Sequence, residues 1–301
     1  MTTDVTTTEQ AEQLRGRLGQ FGIFAGPPGR LGIEPEALAA AVEKAGFTSL
    51  WVGGGNATPA DFGVLSAMLS STSRLVVATG IANIWAWAPE AIASAAYSLE
   101  SRFPGRFILG LGVSHQGPVE ALGHAYARPY SKMVSFLDSL DELPEGLPPV
   151  MLAALGPKML ALSGERTAGA HPYFTAPGHT AQARSILGPG PLLVPEIAGS
   201  LASGEAGLAA VRSYAARYLQ LPNYVSNLRS HGFTEQDVSD GGSDRLLSAV
   251  TPWGSAALLA GIRAHLDAGA DHVVIQPLAP GGGFALADLT ELASAVGGLV
   301  P

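Results

Sequence analysis

Short apolar runs alternate with amphipathic helical patterns along almost the whole chain. Eight such runs can be counted, at residues 20–24, 49–52, 75–81, 107–113, 150–154, 170–174, 192–197 and 272–276. Runs that are apolar on both faces, each followed by a helix, are typical of a parallel sheet covered by helices. Eight units favour a closed sheet over an open one, so the sequence predicts a (β/α)8 TIM barrel.

The connections between these runs predict the helices and one insertion. Helical patterns occupy residues 35–45, 59–70, 89–101, the region from the fourth strand to residue 143, 157–166, 179–187, 205–219 and 284–296. Residues 222–252 are rich in Asn, Ser, Gly and Asp and exceed a usual connection, which predicts an insertion of short helices before the last strand. The Thr-rich residues 1–13 predict a disordered tail, which leaves residues 14–301 as a single domain.

The charge balance and the absence of cysteine exclude several functions. Lys and Arg number 17 against 25 Asp and Glu, a net charge of −8, so no basic excess exists to bind nucleic acid. Without cysteine the chain has no disulfides, thiolate ligands or cysteine nucleophiles. The seven histidines lack ligand spacing, so no metal site is expected. No signal peptide and no apolar run long enough for a membrane span is found, which predicts a cytoplasmic protein.

Two familiar motifs fail at the end of the fourth predicted strand. The stretch from Gly110 to His115 (GLGVSH) has His where the dinucleotide fingerprint requires its third Gly. Around Ser114 the stretch also lacks the second Gly of a nucleophile elbow. A Rossmann fold and a serine hydrolase are therefore both disfavoured.

Candidate site residues lie at the carboxyl ends of the predicted strands, where barrel enzymes assemble their sites. After the second strand, Gly53, Gly54 and Gly55 either let a flat ligand approach the backbone or form a flexible turn. After the fourth strand, His115 places an imidazole at the rim, where it either exchanges protons or serves a structural role. The barrel mouth is thus the predicted site.

Three further candidates follow the fifth, sixth and seventh strands. The segment from Ala154 to Lys158 (ALGPK) opens a helix, and its free backbone donors and lysine suit a phosphate. The segment from His171 to Phe174 (HPYF) offers an aromatic wall or core packing. Glu196 lies inside an apolar run and needs a partner if it is buried, which favours a structural ion pair.

The segment from Arg102 to Gly112 (RFPGRFILGLG) resembles the turn into the fourth strand of the bacterial luciferase-like monooxygenase superfamily. Within that superfamily the chain is similar to actinobacterial coenzyme F420-dependent oxidoreductases, over essentially its whole length after the tail. Thr79-Gly80-Ile81 matches the end of the family's third strand, where a non-prolyl cis peptide forms a bulge that supports the deazaflavin ring. The resemblance implies such a bond at Gly80-Ile81.

The resemblance also implies a set of cofactor contacts. Gly156-Pro157 resembles the family's phosphate turn, and the segment from Gly169 to Pro172 resembles the turn beside it. His115 falls where some relatives carry a glutamate that acts as general acid. Sugar-phosphate oxidising relatives have a histidine after the second strand, where this chain has glycine, so that substrate is not expected. The implied contacts are Gly53, Gly80, Ile81, Ala82, Asn83, Ala154, Leu155, Gly156, Pro157, Lys158, His171 and Pro172.

These features together predict hydride transfer between coenzyme F420 and a small, uncharged organic substrate, with His115 exchanging the proton. Two alternatives remain open. One is a monooxygenase that binds flavin mononucleotide (FMN) at the same ring site, and the other is a non-catalytic cofactor-binding protein. The resemblance also implies a homodimer through the helices after the second and third strands, residues 60–70 and 90–99, where Ala91, Ala93, Ala95 and Ala96 permit close approach of helices.

Overall fold

One parallel sheet organises the chain. The protein is described by a computed structural model that covers residues 7–54, 57–143 and 146–299, and within these ranges ten short strands pair into a single sheet. The strands are β1 (Phe21–Ala25), β2 (Ser49–Val52), β3 (Val76–Thr79), β4 (Ala82–Asn83), β5 (Phe107–Gly112), β6 (Val150–Leu152), β7 (Gly169–Ala170), β8 (Leu192–Leu193), β9 (Glu196–Gly199) and β10 (Val273–Pro277).

Strands that are consecutive in the chain are mostly neighbours in the sheet, and β1 also pairs with β10. The strand order runs β8-β7-β6-β5-β3-β2-β1-β10-β9, with β4 beside β5. Every pairing between these strands is parallel. Parallel neighbours need crossover connections, and helices supply most of them. The predicted α/β architecture with a parallel sheet is therefore confirmed.

Helices fill the connections between strands. Those in the described ranges are α1 (Thr7–Leu18), α2 (Pro28–Leu31), α3 (Pro35–Ala45), α4 (Pro59–Ser70), α5 (Pro89–Arg102), α6 (Gln116–Ala121), α7 (Pro129–Asp141), α8 (Pro157–Arg166), α9 (Pro177–Leu187), α10 (Gly204–Tyr218), α11 (Pro222–Ser230), α12 (Glu235–Val238), α13 (Asp244–Val250), α14 (Ser255–Asp267) and α15 (Leu289–Gly297). Helices α3, α4 and α8 have the predicted bounds, because a proline in the first turn marks each start.

The prediction of a disordered tail is wrong for residues 7–13. They belong to α1, which buries Ala11, Leu14 and Leu18 against side chains on one face of the sheet. Arg15 anchors this helix through an ion pair of 3.1 Å with Asp271. The apolar spacing of α1 was hidden by the surrounding Thr and Gln residues, and only the tertiary contacts hold the helix in place. Residues 1–6 lie outside the described residues.

The predicted insertion before the last strand is confirmed as the three short helices α11, α12 and α13. Helix α14, which follows them, is absent from the prediction. It buries Leu258, Ile262 and His265, a helical spacing that the sequence already contains. The region predicted as helical after the fourth strand divides into α6 and α7.

Apolar side chains alternate between the two faces of the sheet. Leu50 and Val77 belong to the cluster that packs against the outer helices. Phe24, Trp51 and Ile108 belong to a separate cluster on the other face, which we call the inner cluster. This alternation follows from the two-residue period of a strand. None of the helices in the described ranges combines the length and hydrophobicity needed to cross a membrane.

Candidate functional site

A backbone bulge lies between β3 and β4. Ala78 pairs with Ile108, whereas Ala82 pairs with Leu111. The chain therefore advances four residues from β3 to β4 along a stretch where β5 advances three. The peptide bond between Gly80 and Ile81 inside this bulge is cis, as the resemblance implies. Gly80 and Ile81 are half-buried, so a ligand can reach the bulge from the carboxyl ends of the strands. We call this edge of the sheet the mouth.

The glycines around the bulge make room for the Phe24 ring. A Cβ atom at Gly80 would lie 2.7 Å from Cε2 of Phe24, and one at Gly53 would lie 2.8 Å from its Cζ. The expectation that Gly53 simply clears the rim for a ligand therefore needs correction, since Gly53 is buried and admits an aromatic side chain. Gly54 is exposed, and Gly55 lies outside the described residues.

Ala82 and Asn83 are buried beyond the bulge. The side-chain oxygen of Asn83 accepts a hydrogen bond of 3.1 Å from the backbone N–H of Trp85. Ala82 packs in the outer hydrophobic cluster. Ala82 and Asn83 therefore support the bulge from its buried side, and Gly80 and Ile81 form its accessible surface.

His115 lies at the mouth, at the N-terminus of α6 and directly after β5. Its side chain is half-buried, and its ring centroid lies 5.6 Å from that of Tyr224. Burial lowers its pKa from the ordinary value of 6.5, so the imidazole is neutral at pH 7. A neutral imidazole can accept a proton through one nitrogen and donate a hydrogen bond through the other.

The predicted phosphate turn is open to solvent. Gly156 caps α8 with the extended backbone conformation usual for an N-cap, and a Cβ atom there would meet nothing within 4 Å. Gly156, Pro157 and Lys158 are exposed, whereas Ala154 is buried and Leu155 half-buried. Pro157 has no N–H group, and the N–H groups of Met159 and Leu160 donate to the Gly156 carbonyl, so an anion at this turn would rely on the exposed Lys158 and the helix dipole.

His171 is a core residue. It is 2% exposed, its Nδ1–H donates to the carbonyl of Val194 at 2.7 Å, and its ring stacks on Trp51 at 4.3 Å. Burial lowers its pKa to about 4, so the ring is neutral. The carbonyl of Pro172 accepts the N–H of Glu196 at 2.9 Å. Both residues are buried, so neither presents exposed surface at the mouth, although Nε2 of His171 has no hydrogen-bond partner among the described residues.

Glu196 does not form the predicted ion pair. Its side chain is 1% exposed, and among the described residues neither carboxyl oxygen has a hydrogen-bond or salt-bridge partner. Burial raises its pKa well above 4.5, and the nearby Phe174 N–H and Tyr214 hydroxyl offset only part of this rise. Burial therefore favours the protonated, neutral form of the carboxyl group.

A hydroxyl cluster beside Glu196 was missed by the sequence prediction, and we define it as Tyr173, Tyr214, Tyr218 and Gln276. Tyr214 donates to the Tyr173 hydroxyl at 2.7 Å, and the Tyr173 and Tyr218 hydroxyls lie 2.9 Å apart. Both Tyr173 and Tyr214 reach the side-chain oxygen of Gln276, at 3.0 and 3.2 Å. The spacing of Tyr214, Tyr218 and Tyr224 in the sequence was the available signal.

No group of three or more metal-binding side chains is found in the part of the chain that the structure describes. The mouth instead brings together the bulge, His115 and the hydroxyl cluster. Phe24 connects two of these parts, because its ring fills the space beneath Gly80 and lies 5.2 Å from that of Tyr173. Tyr224 connects His115 to the hydroxyl cluster, since its ring contacts those of His115 and Tyr218, the latter at 5.4 Å.

Comparison with known proteins confirms the resemblance to the luciferase-like superfamily. Residues 33–146 match the model of the luciferase-like monooxygenase family. A Mycobacterium tuberculosis protein named as a coenzyme F420-dependent oxidoreductase is 33% identical over 152 residues, which cover 50% of this chain and 42% of that protein. The chain thus matches less than half the length of this curated relative.

Solved structures share the fold over nearly the whole chain. The F420-dependent tetrahydromethanopterin reductase from Methanopyrus kandleri gives a TM-score of 0.76 at 18% identity, covering 94% of this chain and 99% of that one. An F420-dependent secondary alcohol dehydrogenase in complex with an F420-acetone adduct gives 0.72 at 16% identity, with the same coverage. Monooxygenases also share the fold, among them one from Streptomyces bottropensis with a TM-score of 0.65 at 15% identity, covering 93% of this chain and 98% of that one.

Proposed function

Because residues 33–146 match the luciferase-like monooxygenases, we propose that the chain is an F420-dependent oxidoreductase of that superfamily, which moves a hydride between the deazaflavin and a small organic substrate. The observation that carries the proposal is the bulge between β3 and β4, where Gly80 and Ile81 offer backbone surface at the mouth. The F420-dependent relative and structural neighbours support the choice of coenzyme.

We also propose that the sheet closes into the eight-stranded barrel. The two ends of the strand order, β8 and β9, are separated in the chain only by Val194 and Pro195. The N–H of Val194 donates to Ala170 at 2.9 Å, and the carbonyl of Pro195 accepts from Val274 at 3.0 Å. If β8–β9 and β3–β4 each count as one interrupted strand, these bonds support a (β/α)8 barrel.

The residues at the mouth fit the coenzyme. Gly80 and Ile81 would support one face of the ring, and the first turn of α8 with Lys158 would hold a phosphate. The ring supplies the hydride chemistry when bound. The neutral His115 would accept or return a substrate proton, and the Tyr224 ring beside it would limit access of water.

A titration of the purified protein with F420, FMN and the nicotinamide coenzymes tests this proposal. Binding of F420 alone in the micromolar range is expected. Preferential binding of FMN, or a yellow protein that carries a flavin after purification, would instead favour a monooxygenase. F420 binding without turnover of any carbonyl, enone or alcohol compound would favour a non-catalytic binding protein.

Gly156→Leu should weaken F420 binding by about tenfold or more while the fold stays intact. The new side chain would project into the open space before α8, where the phosphate is proposed to lie, and its Cβ atom would meet no protein atom within 4 Å. Fluorescence titration measures the affinity, and circular dichroism checks the fold. Gly188→Leu would be an unsuitable control because Gly188 has a positive φ, so Gly190→Leu, also at an open position, serves instead. Unchanged F420 affinity in Gly156→Leu would place the phosphate elsewhere.

We propose a homodimer through α4 and α5, with one change to the expected contact. Ala93 and Ala96 are buried within their own protomer, so only Ala91 and Ala95 remain to face a partner. Tyr97 on the same helix is 54% exposed. A stable interface would bury about 2,000 Å². Light scattering at micromolar concentration should give a dimer for the parent and for Tyr130→Glu on α7, and a monomer for Tyr97→Glu. A monomeric parent would contradict the proposal.

A further inference from the structure

We propose that the hydroxyl cluster, with Glu196 behind it, is a binding site for an uncharged oxygen of the ligand, a carbonyl or a hydroxyl group, and that it excludes carboxylates and phosphates. The proposal rests on the proposed function only for the reaction that the bound ligand undergoes. It assigns a role to the hydroxyl cluster and Glu196, which take no part in the proposed binding of the coenzyme or in proton exchange by His115.

The first argument is the path of the hydroxyl chain from the interior to the mouth. Glu196 and Tyr214 are buried, whereas Tyr173 and Tyr218 are half-buried. Tyr214 gives its proton to Tyr173. If Tyr173 gives its own proton to the Tyr218 oxygen, the Tyr218 hydroxyl at the outer end keeps a proton that a ligand oxygen can accept. The chain of hydrogen bonds therefore ends at the half-buried Tyr218 hydroxyl, which a ligand at the mouth can reach.

The second argument is the hydrogen-bond inventory of Gln276. Its side-chain oxygen lies 3.0 and 3.2 Å from the Tyr173 and Tyr214 hydroxyls and, as an amide oxygen, can only accept from them. Its amide N–H groups have no partner among the described residues. Gln276 is half-buried near the end of β10, so these donors are available at the mouth. Gln276 and Tyr218 can thus offer two donors to one oxygen.

The third argument is that Glu196 is retained without a partner. A buried carboxyl group that satisfies neither oxygen is costly, and an apolar residue would fill the same position at less cost. Its oxygens lie beside Tyr214, the buried end of the chain of hydroxyls. A protonated carboxyl adjoining that chain supplies both a donor and an acceptor, so the hydroxyl protons can reorient when a ligand binds.

The charge of the cluster selects the class of ligand. The pKa values of Tyr173, Tyr214 and Tyr218 are all raised, chiefly by burial, so these hydroxyls are neutral together with the Glu196 carboxyl. Arg217, a cation that lies over the Tyr214 ring at 5.4 Å, is exposed. A carboxylate or phosphate at the hydroxyls would lose hydration without gaining a buried counter-charge. A neutral oxygen gains hydrogen bonds at little cost.

The test compares neutral and anionic ligands of the same carbon skeleton. A series of cyclic and linear ketones is titrated by calorimetry against the carboxylates of the same skeletons, with and without F420. At least one ketone should bind ten or more times tighter than its matching carboxylate. Tyr218→Phe should weaken that ketone about 3- to 10-fold, the size of one neutral hydrogen bond. Tyr130→Phe, which removes an exposed hydroxyl on α7, should leave the affinity unchanged.

Glu196→Gln provides an independent readout. If the carboxyl is protonated, this neutral replacement should keep the ketone affinity within about twofold, and an infrared band of a protonated carboxyl should disappear from the spectrum at pH 7. Equal binding of ketone and carboxylate, no ketone binding at all, or an unchanged affinity in Tyr218→Phe would overturn the proposal. Ketone selectivity without F420 binding would instead refute the proposed function and leave this site standing.

Discussion

His115→Ala should lower kcat by about 10²–10⁴-fold in the F420-dependent reaction, while F420 affinity changes by less than about threefold. The imidazole lies at the mouth after β5, whereas the proposed ring and phosphate contacts come from the bulge and α8. Because burial holds its pKa below 6.5, His115 is present as the base at neutral pH. The rate of alcohol oxidation should therefore be constant at neutral pH and fall as the pH drops through the lowered pKa.

His115→Gln separates proton transfer from hydrogen bonding. Glutamine keeps donors and acceptors near the same place but cannot exchange a proton at neutral pH. Loss of kcat to the level of His115→Ala, with the pH dependence abolished, supports a base. His124→Ala, at an exposed position after α6, controls for loss of a surface imidazole. Full activity in His115→Gln would mean that the proton comes from water or from another group at the mouth.

Gly110→Ala should destabilise the protein by about 3 kcal/mol or more. A Cβ atom at this position would lie 2.0 Å from the backbone oxygen of Thr79, which cannot move without separating β3 from β5. The contact is close because the Thr79 hydroxyl also donates to the Gly110 carbonyl at 2.7 Å. The free energy of unfolding in urea measures the loss, and a shifted bulge should reduce F420 binding as well.

Gly117→Ala is the matched control for this substitution. Gly117 lies in the first turns of α6, and a Cβ atom there would meet nothing within 4 Å. Alanine is favoured over glycine in a helix, so its stability should equal or exceed that of the parent by up to about 1 kcal/mol. If Gly110→Ala were as stable as Gly117→Ala, the packing of β3 on β5 would be looser than the distances imply.

Elements with a strong local signal could be predicted from the sequence to within a residue or two. Helices α3, α4 and α8 each carry a proline at the start and a helical apolar pattern. The cis bond at Gly80-Ile81 could be placed because the resemblance fixes it to a short motif. In contrast, α1 has a weak pattern beside a run of threonines, and its stability comes from contacts with the inner cluster.

The candidate site was predicted in part, because a position at the end of a strand does not tell where a side chain points. His115 and the Gly156 turn lie at the mouth as expected. His171 occupies a comparable place in the sequence but turns inward onto Trp51. Glu196 was predicted to have a cationic partner, yet its neighbours are tyrosines that come from helix α10 and the turn after β7.

The sequence by itself determined the parallel α/β architecture, since periodicity and proline placement are local properties of the chain. It also indicated the resemblance to the luciferase-like monooxygenases, through the stretch that ends at Gly112, and the model of that family matches residues 33–146. Only the tertiary structure decided why Gly53 and Gly80 are glycines, because the Phe24 ring that requires their space comes from another strand. The hydroxyl cluster was likewise decided there, since its hydrogen bonds join residues 41 to 103 positions apart, a proximity that no local pattern encodes.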